Sequence, residues 1–235
     1  AVQDFGENPG FGAAFDTWRN GSAPAFIESI SGATPSPRNT TVDSLTVEFS
    51  EPIDLSTFDV NDLVLTRDGN AVTLDSSITV IEDDDAGTAS TYLIFGLDGF
   101  TGTEGNYRLT VDATGVQKPA GGVNSIGSES VSWTMDTTSP TITDVVDLTT
   151  NPRNISVLSI DVILSESVDL ATFTRHDLSI TRDGGANLIA GDGRVQVAHL
   201  SGATYRVTGI NWVLGSEGTY TFSVDASGIQ DAAGN

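Results

Sequence analysis

The chain repeats itself. Pro37-Arg-Asn39 returns as Pro152-Arg-Asn154, Phe49-Ser-Glu51 as Leu164-Ser-Glu166, and Asp54-Leu-Ser-Thr-Phe58 as Asp169-Leu-Ala-Thr-Phe173. Asp62-Leu-Val-Leu-Thr-Arg-Asp-Gly69 then matches Asp177-Leu-Ser-Ile-Thr-Arg-Asp-Gly184 without a gap, and Glu104-Gly-Asn-Tyr107 matches Glu217-Gly-Thr-Tyr220. Copies about 115 residues apart describe two tandem structural units, each the size of one small β-sandwich. The 235 residues are therefore two domains rather than one large one.

Within each copy the apolar residues alternate, as in strands with one buried face. Leu45, Val47 and Phe49 share a face, as do Leu63 and Leu65, Tyr92 and Ile94, then Tyr107, Leu109 and Val111, and finally Val131, Trp133 and Met135. Arg67-Asp-Gly69 is a hairpin signal, because Asp-Gly accepts positive φ cheaply. Leu55 and Phe58 suggest a single helical turn, capped by Asp54 or Ser56. No longer helix is expected, so the fold class is all-β: two tandem immunoglobulin-like β-sandwiches, the second lacking its final strand. The expected division is an N-terminal extension over 1–22, a first sandwich over 23–136 and a second over 137–235, with Asp136-Thr-Thr-Ser-Pro140 as the link.

Charge narrows the partners. The net charge is −22, from 32 acidic against 10 basic residues, which repels nucleic acid and anionic lipid. Cations, basic surfaces or copies of the chain itself remain. There is no cysteine, and Lys118 is the single lysine, so neither disulfides nor lysine cross-links are expected to staple the units. No run of about 18 apolar residues occurs, so no direct membrane insertion is expected. Ala1 suits a chain freed of a signal peptide, and the sequence suits a secreted, extracellular or cell-surface location.

Catalytic signatures are missing. There is no Gly-x-Ser-x-Gly and no His-Glu-x-x-His, and Gly10-Phe-Gly12 lacks the third glycine of a dinucleotide loop. His176 takes the place of Asn61 and His199 sits in an alternating run, so both are expected at the surface. The chain is not expected to be an enzyme. Trp18, Trp133 and Trp212 are scattered rather than arrayed, and burial in a core or interface is the expectation for each.

Phe49-Ser-Glu-Pro-Ile-Asp54, Glu104-Gly-Asn-Tyr107, Val224-Asp-Ala-Ser-Gly-Ile229, Asp231-Ala-Ala-Gly-Asn235 and the Asp-Thr-Thr-x-Pro link together resemble the bacterial immunoglobulin-like domains of S-layer proteins and large surface adhesins. The resemblance covers about residues 23 to 235. It implies calcium at the junction of the units, since oxygen-rich loops of such sandwiches bind Ca2+ there. In an immunoglobulin-like second unit, Glu166, Asp169, Asp225, Asp231 and Asn235 gather around Asp136, with Glu104 of the first unit facing them. Lys118-Pro119 replaces Asp231-Ala232 in the first unit, so no matching site is expected there. Asp83-Asp-Asp-Ala-Gly87 is expected to be a polar hairpin turn.

The ends of the two copies differ. The first continues into Ser128-Glu-Ser-Val-Ser-Trp-Thr-Met135, whereas the second reaches Asn235 before any equivalent. Residues 11 to 19 look strand-like through Phe11, Ala13, Phe15 and Trp18, and aligning Pro24 with Pro140 puts them where a final strand belongs. Two explanations stand: a sequence excised from a longer array, or subunits joined head to tail, each lending Phe11, Phe15 and Trp18 to its neighbour. A self-assembling filament or surface-layer subunit, a stalk fragment of a surface adhesin, and an accessory module of a secreted enzyme are the corresponding functional expectations.

Overall fold

The computed structural model describes residues 23–83, 90–119, 122–146 and 151–235. Phe11, Phe15 and Trp18 lie outside the described residues, as does most of the 83–87 turn.

The five alternating segments of the first copy fall in five of the eight strands among its described residues: β1 (Ile27–Ser31), β2 (Ser44–Phe49), β3 (Leu63–Arg67), β4 (Asn70–Val72), β5 (Thr79–Glu82), β6 (Thr91–Phe95), β7 (Gly105–Asp112) and β8 (Ser128–Met135), the alternation lying in β2, β3, β6, β7 and β8. They form two antiparallel sheets, ordered β1-β2-β6-β5 and β4-β3-β7-β8. Inward residues of both sheets meet in one core, where Leu45, Val47, Phe49, Tyr92, Ile94, Tyr107, Leu109, Val111 and Trp133 are almost fully buried. Phe49, Phe58 and Tyr92 pack edge to face at 5.6–6.2 Å, the geometry that aligns ring edges with ring faces. Asp54 caps the 3-10 turn Leu55–Thr57, its carboxylate accepting from Ser56 N at 3.0 Å. Asp68 and Gly69 have φ of 50° and 79°, as a two-residue hairpin between β3 and β4 requires.

Among its described residues the second copy builds six strands: β9 (Ile142–Val145), β10 (Ser159–Leu164), β11 (Leu178–Arg182), β12 (Gln196–Ser201), β13 (Thr204–Thr208) and β14 (Tyr220–Val224). One sheet again has four strands, β12-β13-β10-β9, but the other has two, β11-β14. A separate core forms around Val162, Leu164, Phe173, Ile180, Tyr205 and Val207. Both units carry the same tyrosine corner: Tyr107 OH donates to Thr103 O at 2.7 Å and Tyr220 OH to Ser216 O at 2.8 Å. That corner, with the paired four-stranded and facing sheets, marks each unit as immunoglobulin-like.

Two expectations are corrected. Phe26 N donates to Ser50 Oγ at 3.1 Å and Thr141 N to Ser165 Oγ at 3.0 Å, so Phe26 and Thr141 are counterparts. Pro140, which is buried, is thus matched by buried Ala25 rather than by Pro24. The proline alignment is off by one residue, because the chain enters the first sheet one residue later relative to its proline. Trp212, 65% exposed, is not a core residue of this chain; it sits in the 3-10 turn Ile210–Trp212 with the Arg194 guanidinium 5.0 Å above its ring, a cation–π contact that tolerates water. Trp133 is buried as expected. Among the described residues, no helix is long and apolar enough to cross a membrane.

Candidate functional site

Two places distinguish the second unit from the first. The first is the free edge of β14. In the first unit β7 is flanked on both sides, pairing with β3 from Leu63↔Val111 to Arg67↔Tyr107 and with β8 from Gly105↔Met135 to Asp112↔Ser128. Tyr107, Leu109 and Val111 are 1%, 0% and 0% exposed. β14 pairs with β11 alone, from Leu178↔Val224 to Arg182↔Tyr220. Its corresponding residues Tyr220, Phe222 and Val224 are left half-buried.

Backbone polarity follows the same division. Asp183 N donates to Thr219 O and Asp225 N to Asp177 O, so by the alternation of an antiparallel ladder the N–H and C=O groups of Tyr220, Phe222 and Val224 point away from β11. No strand meets them among the described residues. The other edge of the same sheet is closed differently. Asn187 accepts from Ile180 N at 3.1 Å and donates to Leu178 O at 3.2 Å, and Leu188 N donates to Ile180 O. A side-chain amide there mimics a neighbouring strand and removes pairing sites, a common way of blunting an edge. Nothing in the sequence signals it beyond an asparagine after a turn.

The second place is the acidic junction. Asp136, Glu166 and Asp231 bring one carboxylate oxygen each within 4.8 Å of one another. Asp136 begins the link, its Oδ1 accepting from Thr138 N at 3.1 Å. Glu104 lies on the first-unit side, Oε2 accepting from Thr138 Oγ1 at 2.6 Å. Asp231 is 4% exposed, and its Oδ1 accepts from the backbone of Ala233, Gly234 and Asn235 at 2.8, 2.8 and 3.0 Å. Asn235 ties the loop to the link, donating through Nδ2 to Asp231 Oδ2 and to Asp136 O, both at 2.9 Å.

The charges strain one another. Burial, then the carboxylates of Asp136, Asp231 and Glu104, push Glu166 above its ordinary value. Burial would also raise Asp231, but hydrogen bonds from Asn235, Ala233 and Gly234 hold it below the usual carboxylate range. Asp169 and Asp225 do not join the three clustered carboxylates: Asp169 Oδ1 accepts from Ala171 N and Asp225 Oδ1 from Ser227 N, each stabilising its own turn.

The matching corner of the first unit contains a built-in cation. Lys118 takes the place of Asp231, its side chain is 10% exposed, and its Nζ bonds to Glu51, the counterpart of Glu166, and to Ala23 O at 3.1 Å. The histidines are where the sequence puts them. His176 is exposed, and His199, exposed on β12, bonds through Nε2 to Gly202 O at 2.8 Å beside the Tyr205 ring.

Fold and site define a tandem immunoglobulin-like chain in whose second sandwich β14 pairs, among the described residues, with β11 alone. No protein-family model matches the chain, and no curated protein matches it. Similar solved structures include the N-terminal part of the bacterial S-layer protein SbsC, at 17% identity and TM-score 0.35 over 80% of this chain and 42% of that one. The S-layer protein rSbsC(31-844) is similar at 15% identity and TM-score 0.33, over 91% of this chain and 33% of that one. The N-terminal eight Ig domains of Down Syndrome Cell Adhesion Molecule are similar at 14% identity and TM-score 0.24, over 90% and 23%. This chain thus spans less than half the length of each, and the likeness extends no further than the sandwich fold.

Proposed function

We propose that the chain is a non-catalytic extracellular structural protein that assembles head to tail, the segment around Phe11, Phe15 and Trp18 of one copy completing the open sheet of the next. The observation that carries this reading is the edge of β14, with three outward backbone pairs and Tyr220, Phe222 and Val224 half-covered. An unpaired edge above an apolar face is a template for strand addition, in which ladder hydrogen bonds give affinity and alternate side chains give selectivity. Burying two phenylalanines there stabilises the joint by roughly 3 to 6 kcal/mol before ordering costs.

The test is assembly of the full chain against a variant lacking residues 1–20, followed by light scattering and electron microscopy. The first-unit core is drawn from residues between Ala25 and Met135, so the variant is expected to keep a folded first unit and to lose its polymers. Polymers that survive the deletion, or a full chain that stays monomeric at high concentration, sink the reading. In the second case the edge is met from elsewhere, as in a stalk whose next segment follows.

A second proposal concerns the junction. Ca2+ held by Asp136, Glu166 and Asp231, with Glu104 at its margin, locks the two units together. What supports it is the internal comparison: where the first unit has the Lys118 ammonium against Glu51, the second has the carboxylates of Asp136, Glu166 and Asp231 converging within 4.8 Å. Hard oxygen ligands of this kind suit Ca2+. A ligand that binds only the folded state raises stability, so calcium is expected to raise the melting temperature. Asp136→Asn is expected to abolish most of that rise, and an unchanged rise in this variant rejects the site.

A further inference from the structure

We infer that the incoming strand is held in one register, with Trp18 stacked on Tyr220 of the accepting copy, Phe15 against Phe222, and a bulge at Asp16-Thr17 between them. This rests on the strand-donation reading and specifies the contact that gives it selectivity.

The register comes from the first unit, where the completed sheet is visible. Trp133 and Tyr107 are ladder partners, and their rings stack at 5.3 Å with 6° between planes. Trp133 is 2% exposed, so this plate-on-plate contact seals the end of the sandwich. In the second unit Tyr220 is fixed by the same hydroxyl anchor to Ser216 O, and its ring is only half-buried. The place of the covering plate is thus defined by geometry.

Counting from the shared entry point identifies the residue that fills it. Phe26 and Thr141 are counterparts by their matching bonds to Ser50 Oγ and Ser165 Oγ. Trp133 precedes Thr141 by eight residues, and Trp18 precedes Phe26 by the same eight. The two tryptophans are therefore equivalent.

A straight strand through Trp18 turns Asp16 toward Phe222 and Phe15 to solvent, which buries a charge and exposes a ring. Val131, opposite Leu109, is the inward neighbour of Trp133 two residues along, whereas Phe15 lies three residues before Trp18. One extra residue between the anchors is a β-bulge, which keeps both rings on the inner face and suits an edge strand. Phe15 then meets Phe222, the counterpart of Leu109, and Ala13 meets Val224.

The register is tested with the full chain. A synthetic peptide of residues 1–22 is added as a competing strand, in parallel with the same peptide carrying Trp18→Ala. The unaltered peptide is expected to cap polymers, and the Trp18→Ala peptide to need on the order of 100-fold more for the same effect, the scale of losing a buried tryptophan. A full-chain variant with Arg19→Cys and Thr219→Cys is then oxidised. Asn106 and Thr134 are opposed in the first unit, their side chains bonded at 3.0 Å, so the two new cysteines are expected to form an intermolecular disulfide, while Arg19→Cys with Thr221→Cys is not. Equal capping by both peptides, or cross-linking of the second pair in place of the first, overturns the register but leaves strand donation standing. Failure of the unaltered peptide to cap overturns both.

Discussion

The two units are the same sandwich at different stages of closure. In the first, β8 lies along β7, Trp133 covers Tyr107, and Lys118 neutralises the corner at Glu51. In the second, among the described residues, β14 pairs on one side only, Tyr220 is half-covered and three carboxylates crowd at Asp136, Glu166 and Asp231. Near-identical motifs thus yield one unit whose β7 is flanked on both sides and one whose β14 is flanked on one side, with opposite charge at the matching corner. The four-stranded sheets share one plan, β1-β2-β6-β5 and β9-β10-β13-β12, and the difference lies in the facing sheet, four strands in one unit and β11-β14 in the other, and in the charge at the corner.

The comparison breaks first at the covering strand. Trp133→Ala is expected to destabilise the first unit by about 3–5 kcal/mol, whereas Trp212→Ala changes stability by less than about 0.5 kcal/mol because that ring is at the surface. Urea titrations of both variants measure this, and similar costs contradict the contrast between the two tryptophans. A smaller effect is expected at the neutralised corner. Lys118→Met is expected to cost about 1 kcal/mol, less than for a fully buried ion pair, because the Glu51 side chain is 45% exposed and screened by water.

Glu166→Gln sharpens the charge difference. The folded-state proton affinity of Glu166 is raised, so the folded protein holds its proton more tightly than the unfolded chain does. The stability this contributes is present below the ordinary value of about 4.5 and lost as pH rises through the folded value. Above that window the ionised side chain opposes folding in the absence of a cation. Glu166→Gln is thus expected to raise the calcium-free melting temperature at neutral pH and to blunt the response to calcium. Melting curves across pH 4 to 8 check both signs.

The smallest effect is expected at Asp161 and Arg206, paired across β10 and β13 at 2.7 and 2.8 Å. Hydrogen bonds from Arg206 hold Asp161 below the ordinary carboxylate value. Its contribution is present above the unfolded value and fades as pH falls through the folded one. Arg206→Met is expected to lower the melting temperature slightly at neutral pH, and less so in high salt.

The repeat, the strands at Leu45–Phe49, Leu63–Leu65, Tyr92–Ile94, Tyr107–Val111 and Val131–Met135, and the Asp-Gly turn at Asp68-Gly69 were legible in the sequence alone, because each is a local pattern. Alternation at Leu45-Phe49 or Tyr107-Val111 needs no partner to be legible, and Asp-Gly fixes its own dihedrals. The sequence also shows one visible charge substitution between the copies, Lys118 for Asp231. Only the tertiary structure decided which carboxylates meet: Asp169 and Asp225 stabilise their own turns, while Glu166 and Asp231 approach Asp136 across the junction. The one-residue shift between Pro24 and Pro140, the amide of Asn187 closing β11 and the exposure of Trp212 were likewise settled by contacts between distant segments. Hydrogen-bond partners and burial are properties of the assembled sheets, and no local pattern carries them.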